Sequence, residues 1–388
     1  MEPLVNLAST LSSADAARIH WDAVVIGAGV GGAIAARELA RTGHKVLLVD
    51  KRGFPRRKVC GACLNLAALR ILDQLGLGDL VDSLGGQPLD RFFLKQGSRS
   101  LSLLLPGGRA LSREAFDTGL VAAAIQAGVE FLPEVTASLT AKASGGHEVR
   151  LTQLGQDVVL RPKAIVVAAG LGGIPSAESS EWKTSVSRLS RVGTGCTIDD
   201  SSREYSPGTI WMAASRQGYV GLVRVEEGRL NLAASLDRQL LRDMGSPAEA
   251  ARHILESAQF VVPRELPSAE WQGTVPLTRN TSPVAVHRTF LIGDAAGYVE
   301  PFTGEGMTWA MLSGQCVTKW VQLAIRNDDS SHEAAECWCR EYRQGIQKRQ
   351  RFCRMATRLI RSPAAMKCGM EILTRWPWLL RKLVAQLN

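Results

Sequence analysis

Short apolar runs closed by glycine mark the first half of the chain. Trp21-Asp22-Ala23-Val24-Val25-Ile26 is β-branched and almost uninterrupted, as in a strand buried on both faces, and it leads into Gly27-Ala28-Gly29-Val30-Gly31-Gly32. The Ala-, Leu- and Glu-rich stretch Ala33 to Arg41 then predicts a helix that stops at Thr42-Gly43. Lys45 to Asp50 supplies a second buried strand, which completes one βαβ unit of about thirty residues.

A basic loop, Lys51 to Gly61, and a helix from Leu64 to about Leu75 come next. Residues 89 to 111 alternate like antiparallel strands. Ser112 is an N-cap candidate for a helix ending near Gly128. Val129 to Leu160 reads as a strand followed by hairpins, and Ala164 to Ala169 as a third buried strand that turns at Gly170. Residues 186 to 274 hold short alternating segments, among them Tyr219 to Val225 and Arg229 to Ala234, that suit an antiparallel sheet. Phe290-Leu291-Ile292 then gives one more buried strand, a Gly-rich turn and a helix from about Met307 to Ile325.

The pattern predicts an α/β protein in two interleaved parts. One is a dinucleotide domain assembled from residues 21–85, 110–185 and 275–328. The other is a sheet domain from residues 86–109 and 186–274, and residues 329–388 form a C-terminal basic helical region.

Composition narrows the class. A 388-residue chain that is 45% hydrophobic has ample material for a core. No stretch reaches the roughly 18 to 20 apolar residues of a membrane span. The first twenty residues lack the basic start, apolar run and cleavage site of a secretory signal, so the expected location is cytoplasmic. Eight cysteines, including the C-x-x-C of Cys60 and Cys63 and the C-x-C of Cys337 and Cys339, have neither disulfide-scaffold density nor zinc-site spacing, and no metal is expected. The net charge of +9 is concentrated after Arg340, where about a dozen Lys and Arg face only Glu341 and Glu371. In that segment Trp376, Pro377, Trp378, Leu379 and Leu380 lie among Arg375, Arg381 and Lys382. Such a mixture fits peripheral contact with an anionic membrane face, or a helical cap with a solvated basic side. No nucleic-acid module accompanies the charge.

The chemistry begins with G-x-G-x-x-G at Gly27, Gly29 and Gly32. Placed between strand and helix, it lets backbone amides and the helix dipole meet a pyrophosphate. Asp50 closes the next strand about twenty residues on, where a carboxylate binds an adenosine ribose. This motif does not separate FAD from NAD.

Phe290-Leu291-Ile292-Gly293-Asp294-Ala295-Ala296-Gly297, followed by Pro301, Gly304, Glu305, Gly306 and Met307, resembles the second FAD motif of the flavoprotein hydroxylase superfamily. The resemblance implies a glutathione-reductase-type, hydroxylase-like FAD-binding domain with an inserted substrate sheet. It also implies that Asp294 holds the ribityl chain and that the Pro301–Met307 loop lies beside the isoalloxazine. Arg113, in Leu-Ser-Arg-Glu-Ala-Phe-Asp, resembles the arginine these proteins place near the FAD pyrophosphate.

Within the superfamily, Phe54-Pro55-Arg56-Arg57-Lys58-Val59-Cys60-Gly61 is similar to the K-x-C-G signature of geranylgeranyl reductase-like flavoproteins. Gly218 to Leu222 ahead of Arg229-Leu230-Asn231 adds to the likeness, which spans roughly residues 21 to 320. It implies a thiol near flavin and substrate, which makes Cys60 a catalytic candidate, and it sets Tyr219 in the sheet that roofs the flavin. Three features depart from neighbouring patterns: residues 219–223 lack the Trp and Pro of prenyl reductases, Ala169-Gly170 replaces the Asp-Gly pair of hydroxylases, and the W-x-W-x-I-P of halogenases is absent.

The resulting expectation is an oxidoreductase with non-covalent FAD, fed by NADPH, NADH or another external donor, that reduces C=C bonds of a small hydrophobic substrate of prenyl or polyketide type. The alternatives are a monooxygenase acting on a phenolic or aromatic compound, and a low-turnover flavin-binding docking protein.

Overall fold

A computed structural model describes residues 6–141, 147–175, 181–200, 202–300, 302, 304–326 and 330–362. Its first layer is a six-stranded sheet whose order runs Ala285–Val286, Thr289–Leu291, Ala164–Val167, Ala23–Ile26, Val46–Val49 and Glu130–Leu132, all parallel except the first edge. The three central strands are buried at every position, in a core that joins helix Val30–Arg41 and a three-stranded antiparallel sheet of Thr136–Ala141, His147–Gln153 and Gln156–Leu160. Strand Ala23–Ile26 sits between neighbours whose connections leave in opposite directions, and a crevice therefore opens at its carboxyl end.

Two helices converge on that crevice. Gly31 in helix Val30–Arg41 has no room for a side chain, since a Cβ there would lie 2.9 Å from the Ala310 carbonyl oxygen of helix Gly306–Arg326. The two parts of the FAD-motif sequence, nearly three hundred residues apart, are thereby packed backbone to backbone.

The second layer is a seven-stranded sheet ordered Gln272–Pro276, Val192–Ile198, Leu230–Leu236, Gly218–Arg224, Thr209–Ser215, Arg91–Gln96 and Arg99–Leu104. It is antiparallel apart from one parallel pair, Thr209–Ser215 with Arg91–Gln96. The sheet's outer face is covered by helices Arg238–Met244 and Pro247–Ser257, which the alternation reading of residues 186 to 274 absorbed into strands. The helix expected from Leu64 is instead a short strand, Cys63–Asn65, followed by helix Leu66–Gln74, because the Asn65 side chain caps the Ala68 amide.

Helix Ser330–Gln344 packs back on the first layer, and helix Ile346–Arg361 runs against it and reaches strand Thr209–Ser215 of the second. Trp338 is fully buried and donates its indole N–H to the Leu291 carbonyl at 3.1 Å. Trp376 and Trp378 lie outside the described residues. No described helix is long and apolar enough to cross a membrane.

Candidate flavin and substrate site

The glycines of the first motif are forced by space. A side chain on Gly27 (φ +105°) would collide with the Ala168 carbonyl, and one on Gly32 with the carbonyl of Gly27. Gly29 caps helix Val30–Arg41 without a side-chain bond, which leaves the helix's first amides directed at the crevice. Three cations surround this point: a Cβ on Gly29 would stand 3.7 Å from Arg56 Nη2 and 3.8 Å from both Arg113 Nη2 and Lys58 Nζ.

Two carboxylates organise these cations, Asp117 and Asp50, the latter 3.3 Å from Arg56 Nη2. Arg113 donates to Asp117 in a fork, with distances of 2.7 and 2.8 Å, and Arg56 Nη1 lies 3.3 Å from the same fully buried carboxylate. Burial works against the Asp117 charge, but Arg113 and Arg56 outweigh it and hold the carboxyl below its ordinary range. Arg113 is likewise held charged despite burial, by Asp117 and by the Cys60 sulfur. Lys58 has no such partner among the described residues. Burial and then the Arg113 charge push its ammonium below the usual lysine range, with Asp294 acting the other way. A buried cluster with more positive than negative charge, and with Arg56 Nε lacking a hydrogen-bond partner, suits a dianionic pyrophosphate at a helix N-terminus.

Asp50 stands where the ribose is expected. Its Oδ2 accepts from the Ala28 amide at 2.8 Å and its Oδ1 from the Arg52 amide at 3.0 Å. These bonds fix the carboxylate beside the glycine turn.

The second motif closes the far side. Gly293 (φ +57°) opens a tight turn over Gly293–Ala295, and its amide donates to Ser313 Oγ at 2.9 Å on the long helix. Asp294 lines the same cavity as Gly29 and Asp50, together with Gly304, Gly306 and Met307. Pro301 lies outside the described residues.

That cavity, about 740 Å³, continues from the cation cluster to the underside of the seven-stranded sheet. There Phe92, Met212, Tyr219 and Val223 form an apolar roof. Phe302 of the second motif reaches up to it, with its ring edge-on to Tyr219 at 5.2 Å and to Phe92 at 6.3 Å.

Both catalytic candidates reach the cavity. Cys60 lines it and is tied to the roof by its carbonyl, which accepts from Asn231 Nδ2 at 3.0 Å. Burial, and secondarily Glu300, push the Tyr219 phenol well above its ordinary 10.0, so it stays protonated. Cys63 also lines the cavity, and burial pushes its thiol up. His287, beside the second motif in sequence, is instead half exposed at a surface turn and lies 3.6 Å from Glu181. Arg56, Lys58 and Tyr298 are cavity residues to which the sequence motifs assigned no binding role, although Lys58 belongs to the K-x-C-G signature. Burial and then Asp294 hold the Tyr298 phenol protonated too.

Residues 20–326 match the family model described as FAD binding domain. The chain belongs to that family. The FAD-binding fold is shared with solved structures at low identity. The flavin-dependent brominase Bmp2 superposes with a TM-score of 0.77 at 17% identity, covering 95% of this chain and 93% of that one. PqsL, a probable FAD-dependent monooxygenase from Pseudomonas aeruginosa, gives 0.67 at 20%, covering 91% and 99%. In sequence, digeranylgeranylglycerophospholipid reductase 2 of Methanopyrus kandleri is 27% identical over 349 residues, which is 81% of this chain and 80% of that protein. The protein is therefore an FAD-dependent oxidoreductase, and its curated relatives of this kind match the geranylgeranyl reductase-like resemblance of its own motifs.

Proposed function

We propose that this FAD enzyme reduces C=C bonds of a hydrophobic substrate held under the seven-stranded sheet. The observation that carries the reading is the juxtaposition of the FAD cradle with an apolar roof. Leu89, Phe92, Leu103, Leu105, Ile210 and Met212 face one continuous space with Asp294 and Met307. The reductase names of the sequence relatives support the same chemistry.

FAD, when reduced by an external donor such as NADPH or NADH, supplies the hydride. The chain's residues do the rest. Arg113, Arg56 and Lys58 neutralise the pyrophosphate, Asp50 and Asp294 orient the two ends of the cofactor, and the roof excludes water. Saturating a C=C bond also requires a proton, and Tyr219, protonated and facing the cavity, is the donor we assign, with Cys60 as the second candidate. The test is anaerobic incubation of the holoenzyme with donor and geranylgeranylated lipid. A product two hydrogens heavier is expected. No product under nitrogen, but an oxygenated one when phenols and air are supplied, would replace this reading with a monooxygenase.

We propose in addition that the basic C-terminal region makes peripheral contact with an anionic membrane. Helix Ile346–Arg361 contains no acidic residue, and the sequence beyond it mixes Trp376 and Trp378 with further cations. A chain cut after Ser362 should sediment less with phosphatidylserine vesicles than the full chain. Equal sedimentation would remove the proposal.

A further inference from the structure

Glu300 immediately precedes the loop that reaches from Pro301 to Gly306, and it is fully buried. A lone carboxylate at such a place is untenable, and this one is shared between two guanidinium groups. Arg191 Nη1, itself fully buried, donates to Oε1 at 3.2 Å, and Arg361 Nη2 donates to Oε2 at 2.8 Å.

The two arginines come from different parts of the molecule. Arg191 immediately precedes strand Val192–Ile198 of the roof sheet. It also binds Asp237 at 2.9 Å and the Arg216 carbonyl at 2.8 Å, so it ties the ends of several roof strands together. Arg361 ends the C-terminal helix. That helix holds the second motif at three further points: Gln350 on the Gly297 carbonyl at 3.1 Å, Cys353 on the Glu305 carboxylate at 3.1 Å, and Thr357 on the Glu300 carbonyl at 3.2 Å. Roof, flavin loop and C-terminal helix therefore meet at one carboxylate.

Replacing such a network by apolar residues commonly costs little stability or even gains some, so its presence here calls for a role beyond holding the fold. The neighbours indicate the role. Glu300 is tied to two cavity residues: its carbonyl accepts from the Phe302 amide at 3.2 Å, and its partner Arg191 lies 6.0 Å from the centre of the Tyr219 ring. Its negative charge adds to the burial that holds the phenols of Tyr219 and Tyr298 protonated, so its field reaches the cavity.

We propose that Glu300 is a positioning residue: divided between Arg191 and Arg361, it fixes the flavin loop against the roof and sets the charge balance that tunes the reduction potential of bound FAD. Reduction adds negative charge to the flavin. Without the carboxylate, Arg361 loses its partner and Arg191 keeps only Asp237, and the excess positive charge favours the reduced form. Without Arg361, the carboxylate is undercompensated and favours the oxidised form.

The experiment measures FAD content and midpoint potential of purified holoprotein carrying Glu300→Gln or Arg361→Gln. Both variants should retain FAD, because the pyrophosphate cradle is untouched. Glu300→Gln should shift the oxidised–reduced equilibrium about tenfold toward reduced FAD, about +30 mV for a two-electron couple. Arg361→Gln, partly exposed, should shift it about threefold the other way. Potentials that do not move, or that move in the same direction as loosened packing would give, overturn the proposal. If Glu300→Gln does not fold, Arg361→Gln alone decides: a fall in potential supports the assignment and an unchanged one refutes it. Neither outcome depends on the substrate, so the reductase reading stands or falls separately.

Discussion

The glycine and cation cradle and the apolar roof line one cavity but are built on opposite terms. The cradle is backbone and charge: glycines with no room for a Cβ, a bare helix N-terminus, and three cations that outnumber the carboxylates paired with them, Asp117 and Asp50. The roof is side-chain surface on a sheet whose outer face packs on two helices. A cradle tolerates almost no substitution because its fit is to a fixed pyrophosphate. The roof can be resurfaced strand by strand without disturbing the sheet, so one fold serves many substrates.

Substitutions should expose this asymmetry. Gly32→Ala is expected to have the largest effect, since its Cβ would collide with the Gly27 carbonyl inside the turn. The cost should exceed the ~1–3 kcal/mol of ordinary overpacking, and the protein should purify without FAD absorbance or fail to fold. Roof changes of comparable size, such as Met212→Leu, should keep both FAD and fold. Arg113→Ala comes next, because it strips the fully buried Asp117 of its forked partner. A loss of about 3 kcal/mol in urea unfolding is expected, at the low end for a broken buried pair because Arg56 remains 3.3 Å away. FAD titration of the same variant should show weakened binding.

Alkali gives a third handle. The phenols of Tyr219, Tyr298 and Tyr342 are all held protonated by burial, above the ordinary 10.0. The unfolded chain therefore releases these protons first. Their contribution to stability is intact below pH about 10 and falls as pH rises beyond it, by up to ~1.4 kcal/mol per pH unit for each tyrosine. Urea midpoints at pH 9 and 10.5 measure the slope, and Tyr219→Phe should flatten it.

At the cavity's centre, Cys60→Ser should keep FAD and lower turnover about tenfold, roughly 1.4 kcal/mol on the barrier. Wild-type turnover would take Cys60 out of the mechanism. The smallest effect belongs to Arg57→Ala, which removes a 2.7 Å pair to the exposed Glu270 and should change stability by less than about 1 kcal/mol.

The same contrast explains what the sequence disclosed. Gly27, Gly29, Asp50 and Asp294 could be singled out from sequence, and the fold brings them to one cavity, because a tight strand-to-helix turn demands glycine at fixed spacings, Gly32 included. Arg56 and Lys58 were not singled out as binding residues, since cations in a loop resemble solvated surface until the fold turns them inward. Helix Pro247–Ser257 left a signal that the strand reading passed over: Ser246 caps the Glu249 amide, and Pro247 occupies the first turn. The Glu300 network was illegible, because its arginines lie 109 and 61 residues away in sequence and only the tertiary fold joins them.

The most direct test of the central claim is optical. The holoenzyme is reduced with dithionite under nitrogen and mixed with the unsaturated lipid while the oxidised-flavin absorbance is followed. The account predicts that the absorbance returns without oxygen, in proportion to substrate added. If the flavin stays reduced until air is admitted, C=C reduction is contradicted.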